Sequence, residues 1–169
     1  MHPHPNSSLE QKVEEKQTKR ADRLNNALES ILGIPTDIFT GLDPMAIVIS
    51  RSMNAVIGYC TGHIYGGVRD KTYQRYHITK ASPPHQRYLA SLAIFNLIQT
   101  PIYGITTFVT CAIQSGFNEK ALSTAAQGMK TLFFISLVTA PLKAVYTDVV
   151  RKLFSVPTAQ EKVDKSYLG

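Results

Sequence analysis

The sequence predicts an all-α chain: a small polytopic membrane protein, built as a four-helix bundle with both termini cytoplasmic and a polar helical N-terminal tail. Three observations lead there. No charged residue occurs between Arg87 and Glu119, a gap of 31 positions, and residues 88–113 are mostly apolar. A membrane-crossing helix needs roughly 20 mainly apolar residues at about 1.5 Å each, which this run supplies with room to tilt. Two further apolar stretches, 44–66 and 122–146, flank it. Finally, 14 of the 18 Lys and Arg residues fall in segments that four crossings would put on one side.

Average composition conceals this pattern. With 169 residues, 44% of them hydrophobic, and a mean hydropathy of -0.06, the chain resembles a soluble helical domain. Polar ends at 1–26 and 155–169 dilute an apolar interior that runs from about Leu28 to Phe154. The length suits one domain. Cys60 and Cys111 lie in apolar runs without CxxC or Cys/His spacing, so both are expected to be small buried residues. No metal or cofactor is expected.

The elements follow in order. Residues 1–23 form the polar cytoplasmic tail, 24–154 the membrane domain and 155–169 a polar cytoplasmic C-terminal tail. The N-terminus lacks an apolar stretch of signal-peptide length, and His2 and His4 alternate with prolines as a polar tip rather than a metal site. Ser7 and Glu10 have capping-box spacing, and Leu9, Val13, Leu24, Leu28 and Ile31 recur at helical intervals. The first span, 24–41, is the most polar, with Asn25, Asn26, Glu29, Pro35 and Asp37; alone it would read as interfacial. The second, 44–66, carries Arg51 and His63. Its Gly58, Gly62 and Gly66 stack on one face, where small residues admit another backbone. The third is the apolar run, 88–113. The fourth, 122–146, has an uncharged core of only residues 131–142, about 18 Å of helix, so Lys130 and Lys143 must snorkel or face other helices. Pro141 is placed to kink it.

Cations then set the orientation. Five lie in the N-terminal tail, five at 69–87 and four in the C-terminal segment, whereas the opposite loops at 41–44 and 114–120 hold only Lys120. This positive-inside pattern requires an even number of crossings. The net charge of +6 comes without zinc spacing, a recognition-helix pattern or interleaved aromatics, so anionic lipid rather than nucleic acid is the expected partner. Hydrolase, metalloprotease and phosphate-loop patterns are missing, and an enzyme is not expected.

Ionisable groups inside spans are costly and therefore candidates for function. Asp37, Arg51 and His63 lead, followed by Lys130. At the cytoplasmic ends, Arg69 adjoins Asp70, and Asp148 lies one helical turn from Arg151, a spacing that suits local pairing.

Four motifs in order also resemble the bacterial L-alanine exporter family (AlaE-type). They are Thr36-Asp37-Ile38-Phe39-Thr40-Gly41-Leu42-Asp43; Arg51 followed by Tyr65-Gly66-Gly67-Val68-Arg69-Asp70; Gln99-Thr100-Pro101-Ile102-Tyr103; and Tyr146-Thr147-Asp148-Val149-Val150-Arg151-Lys152-Leu153-Phe154. The resemblance covers about residues 21–156. It implies a four-helix inner-membrane protein that exports L-alanine using the proton motive force. Ala140 and Ala144 stand where family members tend to carry glycines four apart.

Resemblance and chemistry together suggest a site. Arg51 would take the substrate carboxylate and Asp37 its ammonium, with unwound backbone near Pro101 adding carbonyls and Tyr103 contributed by the family motif. His63, Asp70 and Asp148 are the candidates for proton coupling. The glycine seam and the Ala140–Ala144 face are expected to pack helices and to offer surfaces for a homo-oligomer. The rival expectation is a transport-inactive membrane scaffold with the same fold, favoured by the polar first helix and added tail.

Overall fold

A computed structural model describes residues 5–39 and 41–168, with the side chains of all of these except 5–8, 32, 36, 167 and 168. His2, His4 and the Ser7 side chain of the expected capping box lie outside that description. The described chain is all-α, with six helices and no strand: α1 (Pro5–Leu32), α2 (Ile34–Phe39), α3 (Pro44–Arg75), α4 (Pro84–Ser115), α5 (Glu119–Leu153) and α6 (Ala159–Leu168). Local chemistry explains the breaks. Asp43 caps α3 by accepting the Ala46 N–H at 2.9 Å, and Pro44 occupies the first turn, where its missing N–H costs nothing. Asn118 caps α5 in the same way through the Ala121 N–H. Gly116 ends α4 at φ 83, a left-handed backbone that favours glycine.

α1 lies along α3 and α4 along α5, and contacts of α3 with α4 and of α1 with α5 close the bundle. α1 runs unbroken through the expected tail–span boundary at 23/24, so tail and first span are one helix until Gly33, after which α2 continues. The expected C-terminal tail contains α6, which packs on α3 because Ala159 and Val163 are fully buried with Tyr65, Tyr73, Ile78 and Ile94. Glu161 fastens it. Its carboxylate accepts from Lys80 at 2.7 Å and from the Thr158 N–H at 2.9 Å, and these bonds, the Lys80 one foremost, pull its pKa down to about 2.

Polarity runs the opposite way to a soluble domain. The largest fully buried side chains include Arg69, Arg151, Lys143, Asn25, Thr106, Thr107, Thr110, Thr147 and Asp37. The outside carries Leu97, Ile105, Phe133, Phe134, Val138 and Val145. Water as solvent would penalise both halves of that arrangement. Among the described residues, α4 and α5 are long and apolar enough to cross a membrane. α1 and α3, of 28 and 32 residues, are less apolar, since they supply polar residues that face inward.

Several expectations are corrected. Cys60 is exposed and Cys111 half-buried, because the helix faces they occupy point outward. α4 is continuous through Pro101, whose ring sits on the exposed side, so no unwound backbone opens there.

Candidate functional site

α1 and α2 bring acids to the bundle interior at a helical repeat. Asp22, Asn25, Asn26 and Glu29 line one side of α1, opposite the exposed Leu24, Leu28 and Ile31, and Asp37 follows on α2. Each acid meets a cation from another helix. Arg151 of α5 donates Nε and Nη2 to Asp22, both at 2.8 Å. Lys143 of α5 donates to Glu29 and, at 3.0 Å, to Asn26. Arg51 of α3 forms a two-pronged bond to the fully buried Asp37, at 2.6 Å through Nε and 2.5 Å through Nη2.

The glycine seam makes this meeting possible. A β-carbon on Gly58 would lie 2.7 Å from the Asn26 carbonyl oxygen, and one on Gly62 would lie 2.5 Å from that of Asp22. One on Gly66 would strike the Asp22 carboxylate. The seam is therefore filled by α1 of the same chain, and is not a free surface for a second copy. Ala140 and Ala144 are buried too, Ala140 in a cluster with Phe95, Tyr103 and Leu132.

The charge pairs expected within one segment are crossed between helices. Arg69 donates to both oxygens of Asp148 at 2.8 Å, and Arg151 Nη1 to Asp70 at 2.6 Å. Lys162 of α6 donates to the other Asp70 oxygen at 2.7 Å. Both fully buried guanidiniums point into the bundle, where the nearest carboxylate stands on a different helix. Five acids (Asp22, Glu29, Asp37, Asp70, Asp148) thus face five cations (Arg51, Arg69, Lys143, Arg151, Lys162), and this network is neutral.

A cavity of about 230 Å³ opens between α1, α3, α4 and α5. Glu29, Lys143, Arg51, Asn26, Asn54 and Gln99 form its polar wall, and Phe95, Ile102, Leu132 and Leu142 part of its apolar one. Gln99 Nε2 has no hydrogen-bond partner among the described residues. Tyr103 lines the same space and donates to Asp37 Oδ1 at 2.6 Å, with its ring 5.6 Å from the Arg51 guanidinium. Of the expected substrate residues, then, Arg51, Asp37 and Tyr103 come together, and Pro101 does not. Asp37 is occupied by Arg51 and Tyr103 and does not itself line the cavity.

The expected proton-coupling residues fall elsewhere. His63 and Asp70 line a second, polar cavity of about 440 Å³ between α1, α3 and α6, together with Glu14, Thr18 and Lys162. Asp148 is held by Arg69, and Lys130 is exposed on α5. From sequence, Glu29 and Lys143 are polar residues of spans, Lys143 one that must snorkel or face other helices, but neither is placed in the site. The signal was present: Asp22, Asn26 and Glu29 recur at three- and four-residue steps opposite an apolar stripe, and Lys143 interrupts an otherwise uncharged run. No protein-family model, curated protein or solved structure matches the chain.

Proposed function

We propose that the protein is a four-span inner-membrane exporter of L-alanine, or a similar small neutral amino acid, driven by the proton motive force. Both termini lie in the cytoplasm, in keeping with the cation distribution. α1–α2 and α3 cross alongside α4 and α5, their polar faces turned inward and their apolar faces toward lipid. The observation that carries the reading is the cavity wall, where Glu29 stands beside Lys143 and Arg51 in a network of balanced charge. An organic anion or cation entering alone would leave an unpaired charge in a low-dielectric space, at a cost of several kcal/mol. It forms no covalent bond to offset that cost, as a proton does on a carboxylate. A zwitterion adds both signs together. Its carboxylate suits Lys143 or Arg51 and its ammonium suits Glu29, while Phe95, Leu132 and Leu142 offer apolar surface to a small side chain.

Arg51 is positioned rather than free. Asp37 grips two of its nitrogens, and Nη1 donates to the Ser30 carbonyl at 3.1 Å. Since the glycine seam is filled, a homo-oligomer would form through outward faces such as that of Phe133, Phe134 and Val138.

Labelled L-alanine efflux from cells loaded with an alanine dipeptide tests the reading. The protein should accelerate efflux, and an uncoupler should abolish the gain. Unchanged efflux, with the protein present in the membrane, would contradict the exporter and favour the scaffold.

A further inference from the structure

We infer that Glu29 is the group at which the driving proton and the substrate ammonium compete, with Lys143 freed to hold the substrate carboxylate; this rests on the exporter reading above. Exchange of two cations requires an anion that either can neutralise, but not both at once. The interior offers five carboxylates, and four are gripped by guanidiniums. Arg51 holds Asp37, Arg69 holds Asp148, and Arg151 holds both Asp22 and Asp70. A guanidinium does not deprotonate in proteins and can grip a carboxylate through two nitrogens, so these pairs serve to lock helices together.

Glu29 differs in partner and in place. Its bonded partner is the ammonium of Lys143, and its side chain, 16% exposed, stands at the cavity wall. The groups around it are Lys143 from α5 and Arg51 and Tyr65 from α3, while Asp37 on α2, bonded to Arg51 and Tyr103, is set back from the cavity. Asn26 on α1 shares Lys143, and the Tyr65 ring lies 4.0 Å from the Lys143 ammonium, so the cation retains partners when Glu29 lets go.

The cycle balances. In the loaded state the substrate ammonium donates to ionised Glu29 and the substrate carboxylate accepts from Lys143, leaving the interior neutral. After the substrate leaves to the outside, Glu29 takes a proton from water on that side. It yields that proton to water on the cytoplasmic side before the next substrate binds. One O–H bond is made and broken, and nothing is oxidised. The protonated carrier holds one positive charge more than the loaded one. Each amino acid exported therefore moves one positive charge inward, and membrane potential drives the cycle along with the pH difference.

The test uses the purified full chain with L-alanine, in weakly buffered detergent solution and in liposomes. For the unaltered protein, L-alanine should release protons on binding, and an acid-inside gradient should drive its uptake. Its affinity should fall about tenfold per pH unit once Glu29 is mostly protonated. Glu29→Gln should abolish proton release and gradient-driven uptake and leave a weaker, pH-independent exchange of L-alanine. Gradient-driven uptake or proton release persisting in E29Q would overturn the inference. Should E29Q fail to fold, Glu29→Asp decides: a shifted pH midpoint of binding is expected, and an unchanged midpoint would overturn it. If the unaltered protein neither binds nor moves L-alanine, the exporter reading falls and this inference with it. A coupled unaltered protein with a coupled E29Q removes the inference alone.

Discussion

Arg69 and Arg151 are fully buried, and each is matched by acids from other helices. Stability therefore depends more on matching than on charge itself. Arg69→Met leaves Asp148 without its cation and should cost roughly 3–5 kcal/mol, whereas Arg69→Met with Asp148→Asn should recover most of it. Thermal unfolding in detergent of the single and double variants checks this. Tyr103→Phe removes one hydrogen bond to a charged acceptor and should cost about 1.5–3 kcal/mol, less than the loss of Arg51. At the cavity, Arg51→Ala should stop transport while Arg51→Lys keeps part of it, because the cation survives and the fork on Asp37 does not. These partnerships were only half legible in the sequence. Arg51 and Asp37 could be nominated as costly charges in spans, but pairing depends on which helix lies opposite. The two neighbouring charge pairs therefore read as local when they are crossed.

Helix α1 shows how an element's meaning is set by its neighbours. Its asparagines and acids argue against a membrane span when scored alone, yet they are buried against α3 and α5. The same helical period that made the helix legible also separated the polar stripe from the apolar one; what sequence lacked was the partner face. Gly62 and Gly67 separate packing from propensity. Gly62→Ala puts a methyl 2.5 Å from a backbone oxygen of α1 and should destabilise by about 1–3 kcal/mol, with faster tryptic cleavage at Arg20 as α1 loosens. Gly67→Ala meets nothing within 4 Å and should stabilise by about 0.5–1 kcal/mol. α6 gives a pH prediction. The pKa of Glu161 in the fold is about 2 against an ordinary 4.5, so its anchoring is present above pH 4.5 and is lost as pH falls towards 2. Lys80 is shifted up by the same bond, so its share is present below pH 10.5 and fades above. Hydrogen exchange in α6, corrected for intrinsic rates, should rise at the acid end. Glu161→Gln should show that faster exchange already at neutral pH.

At the scale of the whole molecule, the polar interior and apolar exterior belong together. α1 and α3 are joined by close backbone approach, α4 and α5 by bonds such as Asn96 to Ser136 and Tyr88 to the Leu137 carbonyl. Between these two hairpins run ion pairs: Arg69–Asp148, Arg151–Asp22, Arg151–Asp70 and Lys143–Glu29. The all-helical class and the two long apolar helices, α4 and α5, were readable from the apolar runs. The docking of α6 was not, since two small residues, Ala159 and Val163, carry most of its burial. Orientation is testable with single cysteines in a chain lacking Cys60 and Cys111. Ser115→Cys should react with an impermeant maleimide from outside the cell, and Ala81→Cys only after permeabilisation. A balanced interior should select a zwitterion, which competition against labelled L-alanine flux in liposomes would reveal. Unlabelled L-alanine should inhibit, while propionate and ethylamine, which carry one charged end each, should not. Inhibition by either half-molecule as strong as by alanine itself would contradict the account.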